Sequence, residues 1–372
     1  MSGRHPFLTT QRRLGPGAVL RQGRLAPYRA VAPGAGEPHL IRDDFGATAP
    51  DPVGGSETGP TGPGRALLCL VHITDLQLAD VQSPTRFEFL NANYADRRYA
   101  GIIPVQRPQE ALTVHAVDAT LRTVGAVKGP ATGLSAQLAV TTGDAIDNAQ
   151  WNELQAFLAL FDGGLVSPDS GGPDYEGVQG PDWPGDIFWR PDGPGAAGED
   201  FFRREFGFPH HPGLLQRALR EFAAGGLGIP WLSCFGNHEA LNQGVGTQTP
   251  GLAAALTGAK KPFDLPEGFD HDRALEEFTE RPEAFMAGPY RQVTPDPFRR
   301  PITRRDFVDG TWERGRSPRA DVPAMRRHRR SDGGGTDQGK RIDQHRPEFR
   351  WVPVAGGRRH SRPTLFLLLV PR

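Results

Sequence analysis

Three short apolar runs, each ending in a polar step, restrict this chain more than any other feature. Leu67-Leu68-Cys69-Leu70-Val71 leads into His72-Ile73-Thr74-Asp75-Leu76-Gln77. Residues 137–142 lead into Gly143-Asp144-Ala145-Ile146-Asp147-Asn148, and residues 229–235 lead into Gly236-Asn237-His238-Glu239. Short continuous apolar runs read as strands covered on both faces of a sheet. Residues 109–127 place Leu112, His115, Ala116, Ala119, Thr123 and Ala126 near one helical face. Trp151, Leu154, Phe157, Leu158 and Phe161 repeat at helical spacing behind a cap at Asp147 or Asn148. A third helix is predicted over 214–224, ended by Gly225-Gly226. Alternating strands and helices predict an α/β core of mostly parallel order.

Outside these segments the chain is poor in core-forming residues. Only 37% of its 372 residues are hydrophobic, against 47 Gly and 36 Pro, so one core with long insertions is expected. Residues 1–64 read as a flexible N-terminal region, with ordered structure beginning near Ala66. The domain is placed at 65–309, interrupted by insertions at 163–212 and 244–309, the second with one helix over 273–285. Residues 310–372 turn basic and aperiodic, as in Arg326-Arg327-His328-Arg329-Arg330. They are expected to be disordered or a non-native tail from truncation or a frame error, with a strand only over 364–370. A basic arm on a nuclease is the weaker reading.

Forty-three basic residues balance 43 acidic ones. Nothing in that balance calls for nucleic acid, and no membrane partner is expected in the absence of a long apolar run. Arg12-Arg13 lacks the apolar stretch that an export signal needs. Cys69 and Cys234 lie in apolar runs and read as buried free thiols. The protein is expected to be cytoplasmic.

The chemistry is expected at the strand ends. Asp75, Asp144 and the Asn237-His238 pair would all lie at the carboxyl edge of the sheet, the ligand-binding edge of open α/β folds. Carboxylates, amides and imidazole delivered there suit divalent metal ions. Other candidates read as structural. His72 points away from Asp75 by strand alternation, His115 packs on its helix, His210 and His211 are loop residues, and Trp183 and Trp189 pack an insertion.

The order Asp-x-Gln, Gly-Asp-x-x-Asp, Gly-Asn-His-Glu resembles the calcineurin-like metallophosphoesterases, closest to an actinobacterial-type subfamily with long inserts between motifs. Direct motif support covers a few dozen residues, and the broader similarity spans 67–307. The resemblance implies a layered αββα sandwich with long irregular insertions, here incomplete at its C-terminal end. It implies a metal-dependent phosphoesterase acting on a phosphomonoester or phosphodiester, with two divalent ions (Mn, Fe, Zn or Mg). By position, Asp75 would ligate the first ion, Asp144 would bridge both, and Asn237 would ligate the second. His238 would stabilise the phosphoryl group or protonate the leaving oxygen, with Asp147 orienting it.

Two departures qualify the match. Gln77 stands where that family has histidine; as a ligand through its amide oxygen it would leave the first ion's site weak or selective for a hard ion such as Mn²⁺ or Mg²⁺, or else it orients a ligand from outside. The later histidines, His271, His328, His345 and His360, form no Gly-His-x-His turn. A degenerate or truncated relative, binding metal or phosphate without catalysis, is therefore the alternative.

Overall fold

The three motif-bearing strands pair side by side, all parallel, in a computed structural model that describes residues 8–9, 11–37, 68–129, 133–195 and 198–315. These residues belong to one unit, Met1–Ala324. Numbered along the chain, the strands are β1 (Arg12–Arg21), β2 (Tyr28–Ala35), β3 (Leu70–Ile73), β4 (Leu138–Thr141), β5 (Gly164–Val166), β6 (Phe222–Ala224), β7 (Trp231–Ser233), β8 (Lys260–Pro262) and β9 (Tyr290–Gln292). The α-helices are α1 (Thr113–Ala126), α2 (Trp151–Asp162), α3 (Phe201–Phe206), α4 (Leu214–Ala218), α5 (Pro250–Leu256), α6 (Ala274–Glu280) and α7 (Arg304–Gly315).

The parallel sheet has the order β3-β4-β7. Leu70 faces Leu138 and Ile73 faces Thr141, while Ala139 faces Trp231. This register brings the three strand ends level, so the loops after Ile73, Thr141 and Ser233 emerge together.

One face of the sheet is packed. Ile73, Ala139 and Trp231 are buried with Val117 and Leu121 of α1 and with Leu154, Phe157, Leu158 and Phe161 of α2. The two helices form where their sequence repeats at 3.6-residue spacing. The start of α2 carries a capping box in which the Gln150 and Glu153 side chains each bond the other's backbone N–H, and its end is Gly163 at φ 83°. The opposite sheet face is looser, with Leu70 exposed and Leu138, Val140 and Leu232 partly buried.

The described residues thus form a mixed α/β fold with a small open parallel sheet. Their other sheets are two-stranded and antiparallel, β1-β2, β5-β6 and β8-β9. No second large sheet faces the first among the described residues, so the two-sheet sandwich is not built from them.

Five further expectations need correction. Residues 12–35 are not irregular but a β-hairpin, fastened at its turn by Leu25 N–H to Glu205 O (2.8 Å) and by Arg24 Nε to Glu205 Oε2 (2.6 Å). The helix predicted over 214–224 stops at Ala218, because Phe222–Ala224 pairs instead with Gly164–Val166. The second insertion holds more than the one helix expected of it. Its Leu252, Ala274, Phe278 and Phe285 close a second core with Phe87, Phe89, Leu90 and Tyr99. The helix predicted over 273–285 is divided, with α6 ending at Glu280 before a 3-10 turn over Pro282–Ala287. The cysteines are partly buried free thiols. The strand predicted over 364–370, the tail beyond Gly315 and residues 48–64 lie outside the described residues, while residues 310–315, assigned to that tail from sequence, instead complete α7.

Several ion pairs run through the interior. Lys261 Nζ meets Glu88 Oε1 at 2.8 Å and Arg299 Nε meets Asp80 Oδ2 at 3.3 Å. Arg86 bridges Glu110 Oε2 (3.0 Å) and Asp147 Oδ2 (2.9 Å). All seven of these side chains are buried.

Candidate functional site

The loop after β3 lies along the loop after β4. Gln77 N–H donates to Asp144 O at 2.8 Å, and Leu78 N–H to Ala145 O at 3.1 Å. The loop after β7 closes the other side through Glu239. Its carboxylate accepts N–H groups from Gly236 (2.5 Å), Asp144 (2.9 Å), Ala145 (2.5 Å) and Ile146 (3.3 Å). Burial raises the Glu239 pKa, and those four backbone donors oppose the rise. Glu239, given no role by the sequence reading, is the clamp that joins the second and third motifs.

The clamp works because two glycines touch. A Cβ on Gly143, which has φ 102°, would lie 2.6 Å from Gly236 Cα. One on Gly236 would lie 2.5 Å from Asp144 N and collide with the Asp144 carboxylate. Gly236→Ala is therefore expected to cost roughly 1–3 kcal/mol of stability through overpacking and to displace Asp144. Urea unfolding together with a metal titration reads both effects, and an unchanged midpoint and titration would contradict this packing.

Backbone strain gathers at the same place. Asp75 (φ 57°), Gln77 (φ 49°), Asp144 (φ 56°), Asn242 (φ 43°) and Gln243 (φ 63°) all occupy the left-handed region. Non-glycine residues held there cost energy and cluster at functional sites.

The side chains divide into two groups. Asp75, Asp144 and Asn237 each retain an oxygen with no hydrogen-bond donor among the described residues. Thr74 Oγ1 donates to Asp75 Oδ2 at 2.7 Å, His238 N–H to Asp144 Oδ1 at 3.0 Å, and Asn237 Nδ2 to Gln243 O at 2.9 Å. Asp75 Oδ1, Asp144 Oδ2 and Asn237 Oδ1 remain. Asp75 and Asn237 are exposed and Asp144 is half-buried. Oxygen donors of this kind fit a hard divalent ion. Among the described residues, however, no three His, Cys, Asp or Glu side chains form a group that could hold a metal ion.

The second group is a buried acid–base pair. His238 Nδ1 and Asp147 Oδ1 are 2.6 Å apart, and Gln77 Nε2 is 3.5 Å from His238 Nε2. The structure therefore places Asp147 against His238 as the sequence reading anticipated, and sets Gln77 beside the imidazole. Burial would raise the Asp147 pKa. Arg86, the His238 hydrogen bond and Arg107 outweigh burial and hold it at about 2. Glu110, also buried, is pushed up to about 7 against the pull of Arg86.

Arg86, Arg107 and Glu110 were missed from sequence. Charged residues in a stretch rich in polar groups read as solvated, and no spacing rule links 86 and 107 to 147. The remaining candidates lie apart. His72 Nε2 bonds Thr142 Oγ1 at 2.7 Å on the exposed face. His115 bonds Ala218 O at 2.8 Å and stacks near Phe222. Trp183 and Trp189 are buried in the first insertion. His271 bonds Tyr99 at 2.7 Å, and His328, His345 and His360 lie outside the described residues. Among the described residues, no helix is long and apolar enough to cross a membrane.

Comparison with known protein families, with curated proteins and with solved structures returns no match.

Proposed function

We propose that this chain is a metal-dependent phosphoesterase of the calcineurin-like type, hydrolysing a phosphomonoester or phosphodiester. The observation that carries the reading is the His238–Asp147 pair set beside the Asp144 carboxylate, with the His238 amide bonded to Asp144 Oδ1 at 3.0 Å. Asp75, Asp144 and Asn237, with Gln77 beside them, would hold divalent metal, favouring Mg or Mn over Fe or Zn because the donors are oxygens. Asp144 would bridge a pair of ions, and the second ion would need donors beyond these four residues. The reading carries with it the layered αββα sandwich, of which the β3-β4-β7 sheet with α1 and α2 would be one half.

When bound, such metal polarises phosphoryl oxygens and acidifies the attacking water. The protein's own part is to place and move protons. Asp147, held ionised, accepts the Nδ1 hydrogen of His238 and fixes the ring's tautomer and orientation. Nε2 is then the atom that takes a proton when the ring is neutral and gives one to a leaving oxygen when it is charged. The Glu239 clamp keeps Asp144 and His238 in one rigid unit, as positioned catalysis requires.

Asp144→Ala is expected to abolish metal-dependent hydrolysis of an aryl phosphoester, measured by phenolate release with Mn²⁺ or Mg²⁺. Turnover equal to the parent chain would defeat the assignment.

A second reading follows from the sparse donor set, in which no three metal-binding side chains form a group among the described residues. It is a degenerate relative that binds metal or phosphate without turnover. Calorimetric metal titration separates the two. Two equivalents with turnover support the enzyme, and one or none without turnover supports the binding protein.

A further inference from the structure

The guanidinium of Arg107 is anchored on one side only. Its Nη1 meets Glu110 Oε1 at 3.1 Å and Asp147 Oδ2 at 3.2 Å. Its Nε and Nη2 make no hydrogen bond among the described residues, and about a quarter of the side chain (27%) is exposed. Nε and Nη2 form the edge of the guanidinium that grips carboxylate and phosphate oxygens in bidentate fashion. Arg86 differs. Its side chain is 2% exposed, and both of its Nη atoms are committed to Glu110, Asp147 and the Val105 carbonyl.

The position of Arg107 is fixed relative to the site. Asp147 receives His238 on Oδ1 and Arg107 on Oδ2, so the two groups meet across one carboxylate. The turn that leads into Arg107 is tied to the loop carrying Asn237. Pro104 O accepts Gln243 Nε2 at 3.3 Å, and Gln243 O accepts Asn237 Nδ2 at 2.9 Å.

We infer that Arg107 is the specificity-determining residue of this site, its free Nε–Nη2 edge binding a non-bridging phosphoryl oxygen pair and selecting phosphomonoesters over phosphodiesters. A monoester carries close to two negative charges at neutral pH because its second pKa is near 6. A diester carries one, and offers two non-bridging oxygens against the monoester's three. The inference rests on the phosphoesterase reading for its substrate.

The test uses the full chain with Mn²⁺ and compares Arg107→Ala and Arg107→Lys with the parent. Steady-state kinetics on an aryl phosphomonoester and an aryl phosphodiester are paired with calorimetric titration of inorganic phosphate. Arg86 still holds both Glu110 and Asp147 in these variants, so the fold is expected to persist. Arg107→Ala is expected to lower kcat/KM for the monoester about 10–100-fold, mainly through KM, and for the diester less than about 3-fold. Phosphate affinity should fall by about the monoester factor. Arg107→Lys should recover only part, since an ammonium keeps the charge but not the fork.

Equal losses on both esters would mean that Arg107 only steadies Asp147, and would overturn the inference, as would no loss at all. Should the parent hydrolyse neither ester yet bind phosphate about tenfold more tightly than Arg107→Ala, hydrolysis fails as the function while Arg107 stands as the anion contact. Turnover of both esters with phosphate binding indifferent to Arg107 does the reverse: hydrolysis stands and the role of Arg107 falls. A parent that neither turns over nor binds phosphate overturns both.

Discussion

His238→Ala is expected to lower kcat on an aryl phosphoester by about 10²–10⁴-fold, the range for loss of a positioned acid or base, while metal binding is retained. The two effects separate because His238 lies next to Asn237, the proposed ligand, in sequence but turns its ring toward Asp147. Asp147→Asn should fall between parent and alanine variant. It keeps the shape of the contact but forfeits the charge that holds the tautomer. Elemental analysis of each purified variant supplies the control. Were metal content to fall in step with turnover, His238 would be a ligand and its role as proton carrier would be lost.

Arg86→Met is expected to destabilise the fold by about 3–5 kcal/mol, the cost of breaking a buried ion pair from one side. Methionine roughly fills the aliphatic volume but leaves Asp147 and Glu110, both buried, facing each other with Arg107 alone between them. Arg86→Lys should recover a fraction, because an ammonium cannot span both carboxylates. For Asp147 the pH dependence has one sign, opposite to that of Glu110, whose raised pKa makes its contribution fade as pH climbs toward 7. Asp147 has its pKa lowered from 3.8 to about 2, so it contributes stability that is full above about pH 4 and lost as pH falls toward 2. Without Arg86 that pKa rises, and acid unfolding should begin at higher pH. Thermal melts between pH 3 and 7 on parent and variant measure both effects, and coincident curves would remove Arg86 from this role.

What could be read from sequence was what local rules govern. The three parallel strands followed from short apolar runs, which overran the ends at Thr141 and Ser233 by one and two residues, and α2 followed from Leu154, Phe157, Leu158 and Phe161 at helical spacing. The approach of Asp147 to His238 was anticipated through the motif resemblance, which joins residues that spacing alone cannot. The hairpin over residues 12–35 was hidden because Pro16, Gly17 and Pro33 speak against regular strands. It forms because its turn docks on residues 204–205, a contact no local pattern records. The second core was missed for a related reason. Phe278 and Phe285 belong with Phe87, nearly two hundred residues earlier, and each alone looks like an isolated aromatic in a loop. Arg86 and Arg107 were illegible because a charged residue gives no sign in sequence of whether its partner is water or a buried carboxylate.

The interior ion pairs also constrain how this sequence can drift. Replacing Lys261 by an apolar residue strands the Glu88 carboxylate, and replacing Glu88 strands the ammonium. Exchanging both for apolar residues of similar volume is a far smaller perturbation. Asp80 and Arg299 are held more tightly still, because Gln82, Gln150, Asn152 and Ser170 also donate to the Asp80 carboxylate. Neutral change at these positions must therefore pass through coupled double steps, each first step selected against. Lineages of this protein should show the pairs either kept whole or replaced together, with mixed intermediates scarce. The surface positions around them are free to wander singly.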